Sequence, residues 1–122
     1  MKTSELAGAA LDWAVAKAEG AYQPSLDVFR DGSMLVNYGG MYPEWSTDWA
    51  EGGPIIEREG IAVDCIRSGG NIDSWQAGSM VAGDDNWDAG VQYGPTPLIA
   101  AMRCYVASKL GDEVEIPQEL IE

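Results

Sequence analysis

Trp45 and Trp49, four residues apart, stand in the densest run of chemically useful side chains in the chain, Tyr42 to Glu59. Two indoles at that spacing can build one wall of a pocket. Gly52-Gly53 lets a backbone approach closely or turn sharply, and Pro54 is suited to starting a short helix. Arg58 is placed to grip an anion, with Asp48 or Glu57 accepting hydrogen bonds. Arg103, beside the apolar face of a later helix, is a second cation for the same task. The candidate ligand-binding set is therefore Trp45, Thr47, Asp48, Trp49, Gly52, Gly53, Glu57, Arg58 and Arg103. The competing reading is a compact loop locked by two buried indoles, with Arg58 paired to a neighbouring acid.

Other chemistries find less support. The chain has no histidine, which removes the triads, zinc sites and proton shuttles built on imidazole, and leaves Ser46 with no base to activate it. Asp84-Asp85-Asn86-Trp87-Asp88 has oxygen ligands close together, but Pro95 stands where a calcium loop from Asp84 needs glutamate. It reads as an acidic loop. Scattered Gly78, Gly83, Gly90 and Gly94 make no phosphate cradle. Carboxylate-based hydrolysis, with Asp48 and Glu57 as acid and base, is the enzymatic alternative. No catalytic set, metal site or cofactor is expected.

Twenty acidic and 7 basic residues leave a net charge of −13. So few cations cannot wrap a phosphate backbone, and an anionic membrane surface repels such a chain. Its 122 residues suit one compact domain, residues 1–122. Folding can hide about two thirds of the chain's surface, enough for a core without disulfide or metal staples. Leu6 to Ala18 is too short and too polar to span a membrane, and it lacks the order of a signal peptide. Cys65 and Cys104, each in an apolar context, read as two reduced thiols, and the cytoplasm is the default compartment.

The elements that must position these residues begin and end with helices. Thr3 or Ser4 can cap a first helix, Leu6 to Ala18 carries its apolar stripe, Asp12 and Glu19 mark its polar side, and Gly20 ends it. Thr96-Pro97 opens the last helix, whose apolar face runs from Leu98 to Leu110 before Gly111. Val114, Ile116, Leu120 and Ile121 suggest that the acidic residues after it dock. Between the helices, Ser33 to Tyr38 and Ile61 to Ile66 read as strands. Ala21 to Val28, Ser74 to Ala77 and Val91 to Tyr93 are weaker candidates. Asp31-Gly32 and Gly69-Gly70-Asn71 place hairpins. Met80-Val81-Ala82 and Trp87 are expected to fold back onto the core. The fold class is α+β: a small antiparallel sheet packed by an N-terminal and a C-terminal helix.

Three blocks together carry a resemblance. They are Lys2-Thr3-Ser4-Glu5-Leu6 with Ala10-Leu11-Asp12-Trp13-Ala14-Val15-Ala16, Ser46-Thr47-Asp48-Trp49 with Gly52-Gly53-Pro54-Ile55-Ile56-Glu57-Arg58-Glu59, and Gly94-Pro95-Thr96-Pro97-Leu98-Ile99-Ala100-Ala101-Met102-Arg103. In this order they resemble the NinX-like family of small proteins from lambdoid phages and bacterial prophages. Glu44-Trp45-Ser46 departs from the family's wording before the central block, and Arg67 to Gln92 matches none of its pattern. The resemblance implies a non-virion accessory protein made in the cytoplasm of an infected bacterium, without implying an activity.

The expected function is non-catalytic binding of a small ligand or a host protein. An acidic decoy for a basic host surface and a carboxylate hydrolase are the alternatives. Direct nucleic-acid or membrane binding is not expected, and homo-oligomerisation is left open.

Overall fold

Alanine and leucine at helical spacing give the first helix, α1 (Gly8–Ala18), but it starts later than a cap at Thr3 or Ser4 predicts. The structure, a computed structural model, describes residues 1–20, 24–79 and 91–121. Thr3–Glu5 form a single 3₁₀ turn. The Thr3 hydroxyl donates to the Gly111 carbonyl at 2.7 Å, and its amide donates to the Asp112 carbonyl at 2.8 Å. Thr3 thus ties the chain's two ends together instead of capping α1, whose N-cap position is Ala7. Beyond the turn, Leu6 is wholly buried.

Five strands and a second helix follow the same local logic. β1 (Ser25–Val28) and β2 (Met34–Asn37) form an antiparallel hairpin, with Ser25 opposite Asn37 and Val28 opposite Met34. Asp31 makes the turn, its carboxylate accepting the Ser33 amide at 2.9 Å. After α2 (Trp49–Glu59) come β3 (Ile61–Ser68), β4 (Asn71–Ser79) and β5 (Gln92–Gly94), ordered β3-β4-β5 and antiparallel throughout. Gly69 and Gly70, both at positive φ, make the two-residue turn between β3 and β4. The strands therefore divide into two small sheets within the α+β class. The calcium-like run Asp84 to Asp88, the Met80–Ala82 run and Ala21 lie outside the described residues.

The last helix, α3 (Pro97–Leu110), begins as its sequence predicts: the Thr96 hydroxyl accepts the Ile99 amide, and Pro97 opens the first turn. It lies across the β3-β4-β5 sheet and also packs against α1 and α2. α1 is buried on most of its circumference because α3 and β2 press on it together. Leu6, Leu11, Val15, Met102 and Val106 are among the largest fully buried side chains of the core. Each fully buried side chain of this size stabilises the fold by about 1.5–3 kcal/mol. After α3, Val114 is buried and donates its amide to Met1, while Ile116 and Leu120 pack against the core; Ile121 is exposed.

Candidate functional site

Residues 43–48 carry the first tryptophan, and α1 fastens them. Asp12 was expected on a polar face, yet it is 5 % exposed. Its carboxylate accepts the Ser46 backbone amide at 2.9 Å, and Ser46 is itself buried. With α3 and β2 covering α1, no polar side is left at that turn. Burial pushes the Asp12 carboxyl up to about 6 despite the Ser46 hydrogen bonds, and the Glu44 charge adds to the rise. The Thr47 and Asp48 amides both donate back to the Glu44 carbonyl, closing a tight turn around Ser46.

Asp48 then caps α2, its carboxylate accepting the Ala50 amide at 2.9 Å. The helix accordingly begins at Trp49, well before Pro54, which sits inside it. Gly52 is what allows α2 to lie so close to its neighbours. A Cβ there would stand 2.6 Å from both the Trp45 carbonyl oxygen and Leu98 Cδ1. Gly53 has room, with only Trp49 Cε3 at 4.0 Å. What the sequence suggested as a loop is therefore a buried turn running into a capped helix.

The two tryptophans part company. Trp45 is 5 % exposed and Trp49 is 54 % exposed. The Trp45 and Tyr38 rings meet at 79° with centroids 5.5 Å apart. Together with Glu19, Met41, Pro43 and Glu51 they line a hollow of about 340 Å³. Trp49 borders a different, smaller hollow of about 190 Å³ with Ser46, Thr47, Thr96, Leu98 and Ile99. The segment from Trp45 to Trp49 is thus a partition between two hollows, not one wall of a single pocket.

The other residues of the expected set go elsewhere. The Arg58 guanidinium meets Glu19 at 3.1 Å and Glu59 at 2.9 Å, donates to the Tyr105 hydroxyl at 3.1 Å, and lies over the Tyr105 ring. The Glu59 and Glu19 hydrogen bonds hold its pKa above the usual range. An anion arriving there must displace two carboxylates. Burial pushes the Tyr105 hydroxyl up to about 12, helped by the Glu19 charge. Arg103 donates to the Leu6 carbonyl at 2.7 Å and the Tyr93 carbonyl at 2.6 Å, which pins β5 and the opening turn to α3. Glu57 is exposed on α2.

Asp48 and Glu57 are both exposed, and nine residues of helix separate them by about 13 Å of rise. That exceeds the spacing at which two carboxyl groups share one bond-breaking event, about 5–9.5 Å. Among the described residues, no group of three or more His, Cys, Asp or Glu side chains is placed to hold a metal ion. Cys65 and Cys104 are both free thiols, and burial raises the Cys104 pKa to about 11.

Sequence reasoning missed Asp12, Tyr38, Met41, Pro43, Glu19 and Glu51 as parts of this site. Pro43 and Glu51 lie within the Tyr42 to Glu59 run, and Asp12 left a signal of its own: a single acid inside the otherwise apolar run from Ala9 to Ala16.

Residues 2–109 match the family described as bacteriophage P22 NinX. The chain belongs to the NinX family. The match covers α1, α2, both described sheets and both hollows beside the tryptophans, and stops one residue short of the end of α3. No curated protein matches the chain. No helix among the described residues is long and apolar enough to cross a membrane.

Proposed function

We propose that this NinX-family protein is a non-catalytic binding protein that meets a small ligand or a host protein beside Trp45. One observation carries the reading: an almost fully buried indole, set edge-to-face with Tyr38, lines an open hollow of about 340 Å³. Binding sites tend to be concave, largely apolar and supplied with a few polar groups, and Glu19 and Glu51 supply those here. The hollow is preorganised, because Asp12 holds the segment that bears Trp45. Two free thiols fit the reducing cytoplasm of an infected bacterium.

Amide shift mapping of the labelled protein with a small fragment library tests this reading. Bound fragments should move the resonances of Glu19, Tyr38, Met41, Trp45 and Glu51 together. Hits scattered over the surface, or clustered away from these residues, would overturn it.

The decoy reading is favoured by a separate observation, the net charge of −13. Exposed Asp112, Glu113, Glu115 and Glu119 add to it beyond α3. Such a field steers association with basic surfaces and weakens steeply with salt. A host partner that stays bound at moderate salt supports specific recognition; one held only at low salt is captured by charge alone.

A further inference from the structure

We infer that the hollow beside Trp45 is a site for an organic cation with apolar substituents, an alkylammonium head group. This rests on the binding reading given above and names its ligand class. The Tyr38 and Trp45 rings, packed edge-to-face at 79°, both border the hollow, and the face of an aromatic ring attracts positive charge. Met41 and Pro43 add apolar and polarisable surface to that lining. The charged side chains lining the hollow are Glu19 and Glu51, both acids. Arg58 already compensates Glu19 at 3.1 Å. Glu51 has no ion-pair partner among the described residues.

This combination selects among ligands. An anion finds no cation in the lining and, in Glu51, a carboxylate with no ion-pair partner among the described residues. A neutral apolar group covers Glu51 without giving it a counter-charge, which is costly. A small, strongly hydrated cation gains little from the rings, because it must give up water to reach them. An alkylated ammonium is weakly hydrated, pairs with Glu51 and sets its methyl groups against the aromatic and apolar lining. The volume, near the lower end for ligand sites, suits a head group more than a large molecule.

The test titrates tetramethylammonium chloride and tert-butanol, its neutral counterpart in shape, at constant ionic strength, following tryptophan fluorescence and calorimetric heat. Wild type should bind the cation saturably and about tenfold more tightly than the alcohol. Glu51→Gln and Tyr38→Leu should each weaken the cation severalfold while leaving alcohol binding nearly unchanged. Thermal melts confirm that both variants are folded, and Glu51→Gln, at a half-buried surface position, keeps the test valid should Tyr38→Leu unfold.

Equal binding of cation and alcohol, or variants that bind the cation like wild type, would overturn the cation assignment. Fragments that map to the hollow while tetramethylammonium does not bind would overturn this inference and leave the binding reading standing. Two further arms separate the sources of such a head group. A trimethyl-lysine peptide that binds more tightly than choline identifies a protein side chain, and the reverse order identifies a free small molecule. Both outcomes support the ligand class.

Discussion

The carboxylate of Asp12 and the backbone amide of Ser46, 34 residues apart in sequence, meet at 2.9 Å in the buried centre of the protein. Through this bond α1 sets the position of the turn that carries Trp45, and Asp48 immediately afterwards starts α2. Replacing Asp12 with alanine leaves the Ser46 amide buried without an acceptor, which costs about 1–3 kcal/mol. Asparagine keeps the acceptor and should retain most of that stability. Urea unfolding of Asp12→Ala and Asp12→Asn at one pH compares the two.

The same carboxylate makes stability depend on pH in an unusual direction. Its folded pKa of about 6 lies above the ordinary aspartate value of 3.8, so between those values the folded state holds more protons than the unfolded state. Stability contributed by Asp12 is therefore full below about pH 4 and falls as pH rises to about 6, by about 3 kcal/mol over the whole interval. Glu59, held low first by its hydrogen bond to Arg58, works the other way and loses its contribution as pH falls below the ordinary glutamate range. Urea melts of wild type and Asp12→Asn from pH 4 to 7.5 separate the two. The difference between the proteins should shift toward the asparagine variant as pH rises.

Two adjacent glycines should respond oppositely to alanine. At Gly52 the new methyl meets the Trp45 carbonyl, backbone that cannot swing aside, and overpacking of this kind costs about 1–3 kcal/mol. At Gly53 the nearest atom stands at ordinary contact distance, so Gly53→Ala should stabilise α2 by about 0.4–1 kcal/mol. Thermal melts of the two variants give the signs directly.

Much of the fold was legible because its signals are local. Thr96-Pro97, the Gly69-Gly70 turn and the apolar strand around Val36 each act through neighbours in sequence. The site was less so, because its determinants are distant. Asp12 reads as a surface acid until α3 and β2 are known to cover α1. Trp45 and Trp49 look alike in sequence, yet only Trp45 finds Tyr38 waiting, and Glu19 reaches the hollow because α1 ends beside it. Gly52-Gly53-Pro54 looks like a break, and α2 runs through it because the Asp48 cap and the buried Ile55 favour helix.

The two arginines singled out by the sequence should differ when replaced by methionine. Arg58 is half exposed, and its ion pairs, screened by solvent, are worth less than about 1 kcal/mol. Arg58→Met should scarcely change the melting temperature. Arg103→Met leaves the Leu6 and Tyr93 carbonyls without their charged donor and should cost about 1.5–3 kcal/mol. Paired thermal melts check the contrast.

Whether the hollow beside Trp45 is where this protein meets another molecule is tested most directly by the indole N–H resonances. The chain has five tryptophans, each giving its own side-chain signal, so Trp49 serves as an internal control one turn of sequence away. On titration with tetramethylammonium at constant ionic strength, the Trp45 signal should move along a saturating curve while the Trp49 signal stays in place. A Trp45 signal that does not move, or that drifts linearly in step with Trp49, would contradict the account.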